Sequence, residues 1–198
     1  MTTEISSSRL ESLTDGVFAV AMTILVLSIE VPPQHELMSM GVDGFLATIF
    51  PKLLMFVICF FIIGTFWADH HHSFHYIDKI DRFIVWLNIL WLMSICLIPF
   101  TVTLISEVGY SIHAEIIFGV NIFFIAFLQY AIFWYALKKG FLDDESMHNT
   151  RGLRRSSTII ITIIILAILC SFIFPTFSRI IYFLIPILSL FSIKSILD

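Results

Sequence analysis

The chain has 198 residues, of which 59% are hydrophobic, 21 are Phe, and only 13% are charged. A soluble domain carries about twice that charged share, so the composition excludes a water-exposed globule. The net charge of −4 and the lack of any basic block exclude a nucleic-acid partner.

In chain order, the apolar runs predict six membrane-spanning helices. The first runs over 8–30 and the second over 43–69, with Pro51 tolerated near its start. The third covers 83–106 and the fourth 112–137. The fifth covers 157–174 and the sixth 178–193, with Pro175 at the hairpin between them and Pro186 expected to kink the last. The fold class expected is all-α: one polytopic six-helix transmembrane domain over residues 1–198. A barrel is a poor fit, because Thr158-Ile-Ile-Ile-Thr-Ile-Ile-Ile-Leu shows no alternation of polar and apolar residues.

Orientation follows from Lys and Arg in the short loops. With the N-terminus in the cytoplasm, Arg9, Lys79, Arg82, Lys138, Lys139, Arg151, Arg154, Arg155 and Lys194 lie inside, and Lys52 and Arg179 lie outside. Nine against two predicts a multi-pass protein of the cell membrane with both termini cytoplasmic. The longest polar stretch, Lys138 to Arg155, reads as a cytoplasmic loop.

The first helix is unlike the rest. It carries small residues (Gly16, Ala19, Ala21), hydroxyls (Thr23, Ser28) and ionisable groups at both ends. At 100° per residue, Leu13, Gly16, Val20, Thr23, Ile24, Leu27 and Val31 share one stripe, and Asp15 points to nearly the opposite side. Small residues allow close helix approach. Two placements stay open on periodicity alone: the middle of a single bundle, or the axis of an assembly.

Polar groups at membrane depth are costly and tend to be functional. Asp15 shares a depth with Trp67 and Asp69-His-His-His72 at the end of helix two, and with Asp81, Arg82 and Asn88 at the start of helix three. Arg9, a histidine of 70–72 or the Asn88 amide are the partners available to its carboxylate. A structural latch is preferred over catalysis, because few other groups converge. The histidine run invites a metal, but His35, His113 and His148 are isolated, so no metal site or other cofactor is expected. His70, His71 and His72 could still titrate near neutral pH. No GxSxG, no Ser or Cys beside a His in a recognisable catalytic frame and no phosphate loop is present, so no enzymatic activity is expected. Cys59, Cys96 and Cys170 fall inside apolar runs and read as small hydrophobes.

Two segments resemble a known family. Arg9-x-x-x-Leu13-Thr14-Asp15 and the helix after it resemble the RxxxFSD signature of the transmembrane protein 175 family. Trp67-x-x-His70-His71-x-x-Phe74, Asp81, Asn88 and Pro99-Phe100-Thr101 resemble that family's second and third helices. The match covers roughly residues 9–31 and 67–101. Leu13-Thr14 departs from the family's Phe-Ser; Thr keeps the hydroxyl and Leu loses an aromatic contact. The resemblance implies a homotetramer in the lipid bilayer, with the first helices of four subunits lining a central, passive, K+-selective pore. It implies an apolar constriction at Val20, Ile24 and Leu27, with Thr23 as the nearby hydroxyl, gating by dewetting. It also implies a cytoplasmic-side network of Arg9, Thr14, Asp15, Trp67 and His71, with Asn88 beside it. Val20 is smaller than the Ile common at that place in the family, which implies a wider, less selective ring. Proton conduction through the same architecture, and a secondary transporter, are the alternatives.

Overall fold

The computed structural model describes residues 7–108, 111–142 and 150–189, without the side chains of 150–156 and 175–176. Its elements are α1 (Ser7–Ile24), a 3-10 turn (Leu25–Ser28), α2 (Gln34–His75), α3 (Arg82–Cys96), α4 (Ile98–Val108), α5 (Ile112–Lys139), α6 (Thr150–Ser171) and α7 (Pro175–Tyr182). Among the described residues the β-type pairing is a lone bridge between Ile77 and Leu142.

Four helical stretches are long and apolar enough to cross a bilayer: Ser7–Ser28, Gln34–His75, Arg82–Val108 and Ile112–Lys139. Two shorter apolar helices, Ser157–Ser171 and Phe177–Ser189, follow. The exterior is apolar as well. Met38, Val42, Leu27, Trp86 and Ile173 are exposed large hydrophobes, among many others. A water-facing protein does not carry so continuous an apolar surface; this chain is a multi-pass membrane protein.

Several boundaries differ from those expected, for local reasons. The first helix tightens into a 3-10 turn after Ile24 and ends at Ser28, so Val31 lies beyond it. The second runs from Gln34 to His75, with Gly41 at φ 65° dividing it into 34–40 and 42–75. Glycine takes that left-handed φ without a Cβ penalty. The third expected span is two helices, broken at Leu97. Pro99 cannot donate to the carbonyl four residues back and its ring crowds it, so the helix restarts. The same logic ends α7 at Tyr182, four residues before Pro186. Residues 190–193 of the sixth expected span lie outside the described residues.

α5 packs on α3, α4 and α6, and α7 packs on α6. The main neighbours of α1 are α2, α3 and α4. The core between them holds Phe18, Ile62, Phe66, Trp91, Ile95 and Phe118.

Candidate functional site

The site grows from two adjacent residues of α1. Thr14 is buried and its Oγ1 donates to the Leu10 carbonyl at 3.0 Å. That oxygen also accepts from Asn88 Nδ2 of α3 at 3.3 Å. The Asn88 Oδ1 in turn meets His70 Nε2 of α2 at 2.8 Å. An amide oxygen only accepts, so His70 carries its proton on Nε2. The His70 ring is clamped between Phe74, with centroids 4.1 Å apart, and Trp91, at 4.3 Å. Three helices are thus tied through one buried amide.

Asp15, the next residue, faces outward. Its Oδ1 accepts from Trp67 Nε1–H at 2.8 Å, and the Trp67 ring stacks on His71, with centroids 5.8 Å apart and planes within 14°. The carboxylate partner is therefore an indole, not Arg9, a histidine or Asn88. Arg9 is exposed and makes no ion pair among the described residues. His71 reaches the network by ring stacking, and His72 meets Tyr76 edge-on. No group of three His, Cys, Asp or Glu side chains converges among the described residues.

The rest of α1 divides into two faces. Leu10, Thr14, Phe18, Ala21, Leu25 and Ser28 are buried at helical spacing. Val20 is 55% exposed, Ile24 45% and Leu27 71%, and Leu13 is half bare. A Cβ placed on Gly16 would meet nothing within 4 Å. The chain's own helices leave this stripe uncovered. Leu13, where the family's aromatic is lost, lies on the bare face, so the latch packing is built without it. The 3-10 turn changes the register: in a 3-10 helix residues i and i+3 eclipse, which lines Leu27 up over Ile24. The Thr23 Oγ1 donates to the carbonyls of Ala19 and Val20, at 3.0 and 2.9 Å. Thr23 itself is exposed.

Other polar contacts were not foreseen. Glu115 of α5 is buried; its Oε1 accepts from Arg179 Nε at 2.6 Å and its Oε2 from Ser178 Oγ at 3.2 Å. An acid set in an apolar run was the available signal. Lys52 pairs with Glu107 at 2.6 Å. Asp81 caps α3 by accepting from Phe83 N and Ile84 N, and accepts from Tyr135 Oη–H at 2.7 Å. Burial alone would raise the Asp81 carboxyl; those three donors and nearby Lys139 outweigh it and hold the group below the usual carboxylate range. The three cysteines are free.

Fold and site together define a multi-pass helical membrane protein in which one helix is tied down along one face by a polar latch and left bare along another. The family model for the endosomal/lysosomal potassium channel TMEM175 matches residues 9–99, the stretch that holds both latch and bare face. A potassium channel from Streptomyces collinus is 31% identical over 142 residues, 70% of this chain and 68% of that one. An endosomal/lysosomal proton channel TMEM175 from Gallus gallus is 33% identical over 154 residues; the match takes in 73% of this chain but 30% of that protein. The crystal structure of a lysosomal potassium-selective channel TMEM175 homolog from Chamaesiphon minutus matches with a TM-score of 0.84 at 26% identity, over 94% of this chain and 97% of that one. The chain belongs to the TMEM175 family.

Proposed function

We propose that this chain is one six-span subunit of a passive potassium channel. Four copies surround a central path in the cell membrane, with both termini cytoplasmic. The observation that carries the reading is the bare face of α1. An apolar stripe with one hydroxyl is left uncovered by its own chain on a helix whose other face is pinned by Thr14, Asn88, His70, Asp15 and Trp67. A single stripe encloses nothing; symmetry copies of it enclose a pore. The names of the bacterial relatives and of the matched crystal structure supply the permeant ion.

In this reading Val20, Ile24 and Leu27 form apolar rings, and Thr23 offers oxygens between the first two. Apolar constrictions gate by dewetting, so K+ passes with part of its water or borrows Thr23. The network of Thr14, Asn88, His70, Asp15, Trp67 and His71 fixes the rotation and height of α1 at the cytoplasmic end; Arg9, exposed beside it, makes no ion pair among the described residues. The network acts on the pore by positioning and adds no chemistry. No cofactor is needed for passive conduction.

Proton conduction is the second reading, favoured by the name of the Gallus gallus relative. Reversal potentials of purified protein in planar bilayers separate the two. Under opposed K+, Na+ and pH gradients, the potassium reading predicts reversal near the K+ equilibrium potential. Reversal that follows the pH gradient would replace it with the proton reading. Coupled, saturating flux would point to a transporter.

A further inference from the structure

The paired ends of α3 and α5 carry a pattern that the pore does not use. Arg82 is exposed at the start of α3, and Trp86, one turn further into the helix, is 68% exposed. On α5 the order is reversed, as antiparallel neighbours require: Trp134 and Tyr135 precede Lys138 and Lys139 by one turn. Lys138 Nζ lies 4.8 Å from the Trp134 ring centroid, and Lys139 Nζ 5.8 Å from that of Tyr135. The two ends are fastened together by Phe83 against Tyr135, with centroids 4.6 Å apart, and by the Tyr135 hydroxyl on Asp81. Three cations thus stand at the same paired ends, each with an aromatic residue about 6 Å deeper along its helix.

None of the three is matched by a carboxylate within ion-pair distance among the described residues. The nearby acid, Asp81, is engaged by two backbone amides and a phenol. The last-turn lysines also complement the C-terminal end of the α5 dipole, but that role calls for neither the exposed rings nor an arginine on α3. Rings at the headgroup level with cations just outside them match an anionic lipid, whose phosphate takes the charges while its glycerol and chain tops lie on the indoles.

We propose that Arg82, Lys138 and Lys139, backed by Trp86, Trp134 and Tyr135, form a binding site for an anionic phospholipid of the leaflet on this side of the membrane. The site goes beyond the channel reading and does not depend on it.

The test is thermal unfolding of the full-length protein in detergent, titrated with phosphatidylglycerol or with phosphatidylcholine. Phosphatidylglycerol raises the melting temperature and phosphatidylcholine does so far less. The triple variant Arg82→Gln, Lys138→Gln, Lys139→Gln needs at least tenfold more phosphatidylglycerol for the same shift. Lys52→Gln, a single cation lost from another part of the surface, responds as wild type. Native mass spectrometry of the same proteins counts retained phosphatidylglycerol, so a variant with an altered lipid-free melting point is still read. Equal shifts from both lipids, a wild-type response in the triple variant, or an equal shift from inorganic phosphate at matched concentration would overturn the proposal.

Discussion

Asn88 is the residue on which the latch turns. Its amide gives one hydrogen to Thr14 and its oxygen receives the His70 proton, in a place with no measurable exposure. Truncation strands the buried His70 N–H, while the Thr14 hydroxyl keeps its bond to the Leu10 carbonyl, so Asn88→Ala costs about 1–3 kcal/mol, read as a lower melting temperature in detergent. Trp67→Phe removes a bond of similar length, but the indole and Asp15 are both exposed and water replaces it; its loss is smaller. Asp81 sets a pH dependence. Its carboxyl is held low in the fold, so its contribution is present above the ordinary carboxylate range and is lost as pH falls through the depressed value. Melting measured below about pH 4 therefore drops less in Asp81→Asn than in wild type. From the residues alone, Asp15 looked for a charge or an amide, and nothing in the spacing distinguishes Trp67 from an interfacial anchor. The family resemblance is what named Trp67, and its indole N–H is the donor.

At the scale of elements, the spans were readable because length and apolarity decide them. Their interruptions were not, because a proline inside an apolar run leaves the hydropathy intact. Pro99 breaks the third span at Leu97, whereas Pro51 sits inside α2 without ending it. The two faces of α1 were legible in the 3.6-residue period, but its shift to 3-10 geometry after Ile24 was not. The seam of α5, α6 and α7 was unreadable for another reason: its key residue has no side chain. A Cβ on Gly119 would lie 2.5 Å from the Tyr182 hydroxyl and 2.6 Å from Ile168 Cγ1. Gly119→Ala therefore costs about 1–3 kcal/mol by overpacking, while Gly16→Ala, which meets nothing, leaves the subunit's own packing unstrained; melting temperatures compare the two. Val20 belongs to this scale too. Val20→Ile narrows its ring and raises the K+ over Na+ permeability ratio; an unchanged ratio would remove Val20 from the constriction.

For the whole molecule, two surfaces need covering. The outer apolar belt is covered by lipid. In the proposed channel the α1 stripe, with the Thr23 hydroxyl on it, is covered instead by the same stripe of other copies. The number of copies was not legible in the residues, since one stripe does not fix their count.

The central claim is that the bare face of α1 lines the ion path. Potassium flux from proteoliposomes tests it, with wild type beside Leu27→Asn and Leu166→Asn. Leu27 and Leu166 are both exposed leucines, and Leu166 lies on α6, whose main neighbours are α5 and α7. An amide at Leu27 wets the ring and lowers the barrier, so passive flux rises roughly tenfold for each 1.4 kcal/mol removed, and preference for K+ over Na+ falls. Leu166→Asn leaves rate and preference at wild-type values. Equal behaviour of the two variants, with both proteins folded and inserted, would contradict the account.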